Sequence, residues 1–186
     1  MEYCFHIWNK MACSGISLAL QHILHGKTPV IVCIGSDLTI GDCVGPVCGS
    51  LLTQIKRTPF FIYGTLQNTI TAKEIGYMHE FLRETHLDQP IIAVDAAVGD
   101  AGDIGLIKVT DGGLFPGLGA NKKLQRIGDV GILGIVAERS LFNYSLLNLT
   151  RLKLVWELAE RISEGITRYA QDVFDLPSGA QKYRHK

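Results

Sequence analysis

Two short stretches, Val30-Ile-Val-Cys-Ile34 and Ile91-Ile-Ala-Val94, are apolar at every position. A strand with one wet face alternates apolar and polar residues. A continuous apolar run of strand length instead fits a strand covered on both faces. Such strands belong to parallel sheets sandwiched between helices, so these two runs set the expectation for the whole chain. The expected fold class is α/β, a three-layer α/β/α sandwich with a mostly parallel central sheet.

The rest of the chain supplies the layers. Residues 10–25 place Met11, Ile16, Leu20, Ile23 and Leu24 at helical spacing, and Gly26 ends that helix. Cys43–Arg57 reads as a second helix, with Pro46 in the first turn, where no backbone donor is needed. Pro59–Tyr63 reads as a strand, Ala72–His86 as a helix, Ile104–Thr110 as an outer strand and Gly131–Val136 as a further strand. From Asn148 to Ala170 the residues Leu152, Val155, Trp156, Ala159, Ile162 and Ile166 follow the 3.6 period of an amphipathic helix.

Composition narrows the class. The 186 residues are 47% hydrophobic and 19% charged, which excludes a disordered chain and suits a core covered on both sides. One domain over 1–186 is expected, with its core at about 29–170 and a flexible tail over 175–186. Lys plus Arg and Asp plus Glu are both 18, so no overall field favours nucleic acid or an anionic membrane. The five cysteines (Cys4, Cys13, Cys33, Cys43, Cys48) are odd in number and contain no CxxC pair. That pattern fits neither a disulfide framework nor a zinc site, and a reducing, cytoplasmic setting is expected. No apolar run reaches the roughly 18 residues of a membrane span. Ser14, Gly15 and Ser17 interrupt the stretch Met11–Leu20, and no small-x-small cleavage site follows it.

In parallel sheets the site lies beyond the carboxyl ends of the strands, which directs attention to 35–42, 64–71, 95–103 and 111–128. Ten glycines fall between Gly99 and Gly134, and the 111–128 loop is long for a connection without structure of its own. Asp95 ends an apolar strand that desolvates its carboxyl and raises its pKa. Asp42 precedes a helix start, where the dipole and free amides favour the ionised form, and an N-cap role is the plainer reading. Two carboxyls whose surroundings push their proton affinities apart can divide general acid and general base work. Asp42 and Asp95 are therefore the candidate catalytic pair, with Asp37 a weaker third. Gly35, Ser36, Asp37, Gly64, Thr65, Asn68, Gly117, Gly119 and Asn121 are the candidate substrate contacts, and Lys122 and Lys123 are further polar groups in the last loop. A Cys43 thiol at a helix start could be activated, but it and Cys48 read more simply as small helix residues. The histidines fall on helices or termini, so no metal and no cofactor are expected. Neither a nucleophile elbow, a P-loop nor a dinucleotide fingerprint is present.

The ordered set Cys33–Pro46, Tyr63-Gly-Thr-Leu66, Ile92-Ala-Val-Asp-Ala96, Asp111–Gly119, Val130–Val136 and Asn148-Leu-Thr-Arg-Leu152 resembles the YyaC-type sporulation proteins, often called spore proteases. The resemblance runs from about Pro29 to Ile166. More distantly the chain is similar to the germination protease and to hydrogenase maturation endopeptidases. In the germination protease two aspartates are needed for activity, and their motifs correspond to Asp42-Cys-Val-Gly-Pro46 and Val94-Asp-Ala96. The resemblance implies a sporulation-associated endopeptidase acting on a protein substrate, such as small acid-soluble spore proteins, in the sporulating cell or spore. The histidine with which hydrogenase maturation enzymes sense nickel has no counterpart here, and Phe115-Pro-Gly117 stands where the germination protease has His-Pro-Gly. Two alternatives stay open: a catalytically silent peptide-binding module of sporulation, and a hydrolase of small molecules. A homodimer that buries part of a helix is compatible with either.

Overall fold

The computed structural model describes residues 1–55, 58–116, 125–139, 147 and 149–176. Six strands form one sheet: β1 (Glu2–His6), β2 (Val30–Cys33), β3 (Ile62–Tyr63), β4 (Ile91–Gly99), β5 (Leu106–Asp111) and β6 (Val130–Glu138). Their spatial order is β1-β5-β6-β4-β2-β3. The four neighbours β3, β2, β4 and β6 run parallel, while β5 and β1 pair antiparallel at one side. The α-helices among the described residues include α1 (Ala12–Leu24), α2 (Val44–Thr53), α3 (Ile75–Thr85) and α4 (Leu152–Phe174).

The two apolar runs behave as their composition requires. Ile31, Cys33, Ile92 and Val94 pack in one core layer with Ile16, Leu20, Val44, Leu158 and Ile162 of α1, α2 and α4. Val30, Val32, Ile34 and Ala93 point the other way, into a second layer with Ile75, Met78 and Leu82 of α3 and with Leu114 and Ile127. The result is the expected three-layer α/β/α sandwich. At its tightest point α2 meets the sheet backbone to backbone: a Cβ at Gly45 would overlap the Ile34 carbonyl oxygen, and one at Gly49 the Gly64 carbonyl. Among the described residues no helix is long and apolar enough to cross a membrane.

Several boundaries differ from expectation. The strand over Pro59–Tyr63 shrinks to Ile62–Tyr63, because Phe60 turns into the core against Tyr169, with ring centroids 6.4 Å apart. The helices expected over 43–57 and 72–86 run over 44–53 and 75–85. Ile104–Thr110 was expected at the edge, but β1 covers it, pairing Glu2 with Thr110 through His6 with Leu106. Met11 precedes α1 and is exposed. On α4, Leu152 is the first residue and Trp156 adjoins the buried Val155, and both are exposed beside the stripe of Val155, Leu158, Ile162 and Ile166.

Candidate active site

The chain leaves β2 for β3 on one side and later passes through β4 to β6 on the other. The connections β2–α2–β3 and β3–α3–β4 thus lie on opposite faces, and the direction of winding reverses between β2 and β4. A crevice opens beyond the carboxyl ends of the strands at such a switch point. Asp42 and Asp95 both belong to that rim.

β4 carries Asp95 there directly. Its register sets Val94 opposite Cys33 of β2 and Asp95 opposite Leu133 of β6. The Ile34 amide then donates to the Val94 carbonyl at 2.7 Å, tying the chain just past β2 to β4 immediately before Asp95. Asp95 is 4% exposed and its Oδ1 accepts the Ala96 amide at 2.8 Å. Two residues beyond, the ladder with β6 shifts register between Ala97 and Val98, the irregularity of a β-bulge.

Asp42 returns to the rim through a turn. The Gly35 amide donates to the Ile70 carbonyl at 2.9 Å, the Ser36 amide to the Asp42 carbonyl at 3.2 Å, and the Asp42 amide to the Thr39 carbonyl at 2.9 Å. Gly35 has φ +141°, and a Cβ there would overlap the Asp42 carbonyl oxygen, so only glycine lets the turn fold back this closely. The turn 40–42 and β4 approach within 8 Å between Cα atoms.

The environment of Asp42 corrects the sequence reading. It does not cap α2: Cys43 holds that position, and no side chain bonds the helix start. Burial pushes the Asp42 carboxyl up from 3.8 to about 6, outweighing a backbone amide of Ser36 that favours the ionised form. The helix start was expected to lower this pKa, but desolvation dominates. Cys43 is likewise not activated. Its thiol donates to the Ser36 and Thr39 carbonyls, both at 3.3 Å, and burial raises its pKa, with the charges of Asp42 and Asp37 adding to the shift.

The other candidates divide. Ser36 Oγ accepts the Leu38 amide at 3.2 Å, and Asp37 is exposed on the same turn. Gly64 packs against the Cys33 carbonyl with φ +85°, and Thr65 and Asn68 close a turn on each other. Gly117, Gly119, Asn121, Lys122 and Lys123 lie outside the described residues. Their loop also departs from expectation: because β5 is antiparallel, the chain leaves Asp111 at the amino ends of β4 and β6, where the Asp129 amide bonds Ile91, and not at the carboxyl rim. From there Leu114 and Ile127 form an isolated antiparallel bridge against the α3 face of the sheet. Among the described residues no group of three or more His, Cys, Asp or Glu could hold a metal ion.

One wall of the site was not foreseen. The segment entering α4 presses on the Asp42 turn, and a Cβ at Gly41 would lie 2.7 Å from the Leu147 carbonyl oxygen. Gly41 beside Asp42, together with the motif Asn148–Leu152, was the available signal.

The fold resembles that of a [NiFe] hydrogenase maturation protease, HycI from Thermococcus kodakarensis KOD1. The TM-score is 0.54 and the identity 21%, covering 82% of this chain and 98% of that one. The sequence itself belongs to the family described as "Protein of unknown function (DUF1256)", whose model matches residues 4–165. Within curated sequences it is 38% identical over 142 residues to the uncharacterized protein YyaC of Bacillus subtilis (strain 168), spanning 76% of this chain and 69% of that protein.

Proposed function

We propose that the chain is a peptidase in which Asp42 and Asp95 act on one peptide bond. The observation that carries this reading is the approach of the Asp42 turn to β4, within 8 Å between Cα atoms, at the switch point, with burial holding Asp42 at about 6. A carboxyl with that proton affinity keeps its proton in mildly acidic solution. It can donate a hydrogen bond to the scissile carbonyl and stabilise the oxyanion that forms there. In this assignment Asp95 takes a proton from the attacking water, and the pair then returns a proton to the leaving amine. A solved protein of the same fold is named a maturation protease, in keeping with this chemistry. Proteins of the spore, small acid-soluble spore proteins among them, are the substrates to which the motif resemblance points.

The test is incubation of the full chain and its Asp42→Asn and Asp95→Asn variants with small acid-soluble spore proteins between pH 4 and 8. Cleavage by the parent chain is expected, with a loss of about a thousandfold in each variant. Activity of the parent should fall as pH rises through about 6 and Asp42 ionises. A rise through that pH would exchange the two roles, and cleavage by both variants at the parent's rate would end the reading.

A further inference from the structure

We infer that β1 is a docking edge for a second copy of this chain: two copies pair antiparallel along β1 about a two-fold axis at Cys4, joining their sheets into one. The inference is independent of the peptidase reading, and β4 with Asp95 lies three strands away from this edge.

β1 ends the sheet, and among the described residues no strand pairs with its outer side. Its register with β5 decides which way each peptide points. The Asp111 amide donates to the Met1 carbonyl and the Ile7 amide to the Gly105 carbonyl, both at 3.0 Å. Tyr3 and Phe5 therefore bond inward to β5, while Glu2, Cys4 and His6 turn their amides and carbonyls outward. The His6 carbonyl accepts the Asn9 amide at 2.8 Å and keeps a second lone pair. Edge strands are ordinarily blunted by lysine, proline or a bulge. Glu2-Tyr-Cys-Phe-His6 contains neither residue, and its pairing with β5 runs unbroken from Glu2 to His6.

The strand is also complementary to itself. A two-fold axis at Cys4 sets Glu2 opposite the partner's His6, acid against imidazole, and Tyr3 opposite the partner's Phe5, ring against ring. The peptide directions agree. The outward residues Glu2, Cys4 and His6 form the hydrogen-bonded pairs, and Tyr3 and Phe5 fall at the intervening pairs, where side chains come closest. Helix α1 locates the same axis. The Tyr3 hydroxyl shares a hydrogen bond with His22 Nδ1 at 2.8 Å, and a Cβ at Gly15 would overlap the Phe5 ring. Leu18 lies between Gly15 and His22 on one helical stripe, so it stands level with Cys4, and it is 62% exposed. Met11, a turn further along that stripe, is exposed as well. On this face α1, α4 and α2 cover six strands, one helix for every two. With strands about 4.8 Å apart, that repeat is about 9.6 Å, a helix-packing distance. Continuing the sheet through β1 brings the partner's α1 beside α1 at the same repeat, with Leu18 against the partner's Leu18. One operation thus satisfies the strand edge and covers the apolar stripe. An unrelated peptide added to β1 would leave Leu18 in water.

Analytical ultracentrifugation of the full chain between about 1 and 100 µM reads the number of copies. The parent is expected to sediment at twice the chain mass at the upper end of that range. Cys4→Pro removes an outward amide and no bond to β5, so it should give a monomer with an unchanged far-UV circular dichroism spectrum. Leu18→Glu, altered at an exposed position, sets like charges across the axis and should raise the dimer Kd about tenfold or more. Register is read separately. Cys4 is the exposed one of the five cysteines, so a short bismaleimide should join two parent chains and fail to join two Cys4→Ser chains. Should Cys4→Pro not fold, Leu18→Glu and the cross-link decide. A parent that stays monomeric throughout, a dimer unweakened in folded Cys4→Pro or in Leu18→Glu, or a dimer that is not joined through Cys4 overturns the inference.

Discussion

Asp95 is carried on a nine-residue strand paired with β2 up to Val94 and with β6 from Ile92 to Gly99, whereas Asp42 closes a three-residue turn that hangs from a few backbone bonds. The first is positioned by a ladder, whose register is shared among many residues and survives the loss of any one side chain. The second is positioned by contacts that exist only because atoms are missing, at Gly35 over its own carbonyl and at Gly41 against Leu147. One rim thus joins a redundantly fixed carboxyl to a singly fixed one. Their responses to mutation should differ accordingly.

The largest effect is expected where the turn has least slack. Gly35→Ala forces a side chain into a left-handed conformation and onto the Asp42 carbonyl, and should cost about 4 kcal/mol in urea unfolding. A loss below about 1 kcal/mol would mean that the turn is as redundantly held as the strand. Next comes the carboxyl itself. An acid whose pKa is higher in the fold than in the unfolded chain stabilises the fold while protonated. That contribution is complete below 3.8 and is lost as pH rises through about 6. Asp42→Asn should therefore be more stable than the parent by up to about 3 kcal/mol at pH 8 and indistinguishable from it near pH 3, as read from paired denaturant curves. A smaller effect tests the strand. Val94→Ala, a core truncation next to Asp95, should cost about 2 kcal/mol yet leave the pH dependence of cleavage where it was. A shifted profile would show that the ladder does not isolate Asp95 from its neighbours.

The same contrast explains what the sequence disclosed. Val30–Ile34 and Ile91–Val94 could be recognised because burial on two faces leaves an unbroken apolar run, and Asp95 follows directly from the end of one. β1 left no such trace: Glu2-Tyr-Cys-Phe-His6 is a half-exposed edge strand with a charged residue and no flanking turn signal. Its absence from the expected topology also placed the strand now seen as β5 at the border. The loop over 111–128 was assigned to the carboxyl rim on the assumption of a parallel strand before it, and the antiparallel direction of β5 puts its origin at the other end. For Asp42 the position was legible and the environment was not. Local rules see a helix start and lower its pKa, but the burial that raises it is a product of the tertiary fold. No pattern within 35–46 announces that burial.

Because α2 touches the strand ends through main chain alone at Gly45 and Gly49, the spacing between layers there is already as small as two polypeptides permit. Evolutionary drift has no graded route at such positions, since every replacement adds atoms where none fit. Whatever else a lineage changes at the rim, those two empty places beneath it have to stay empty.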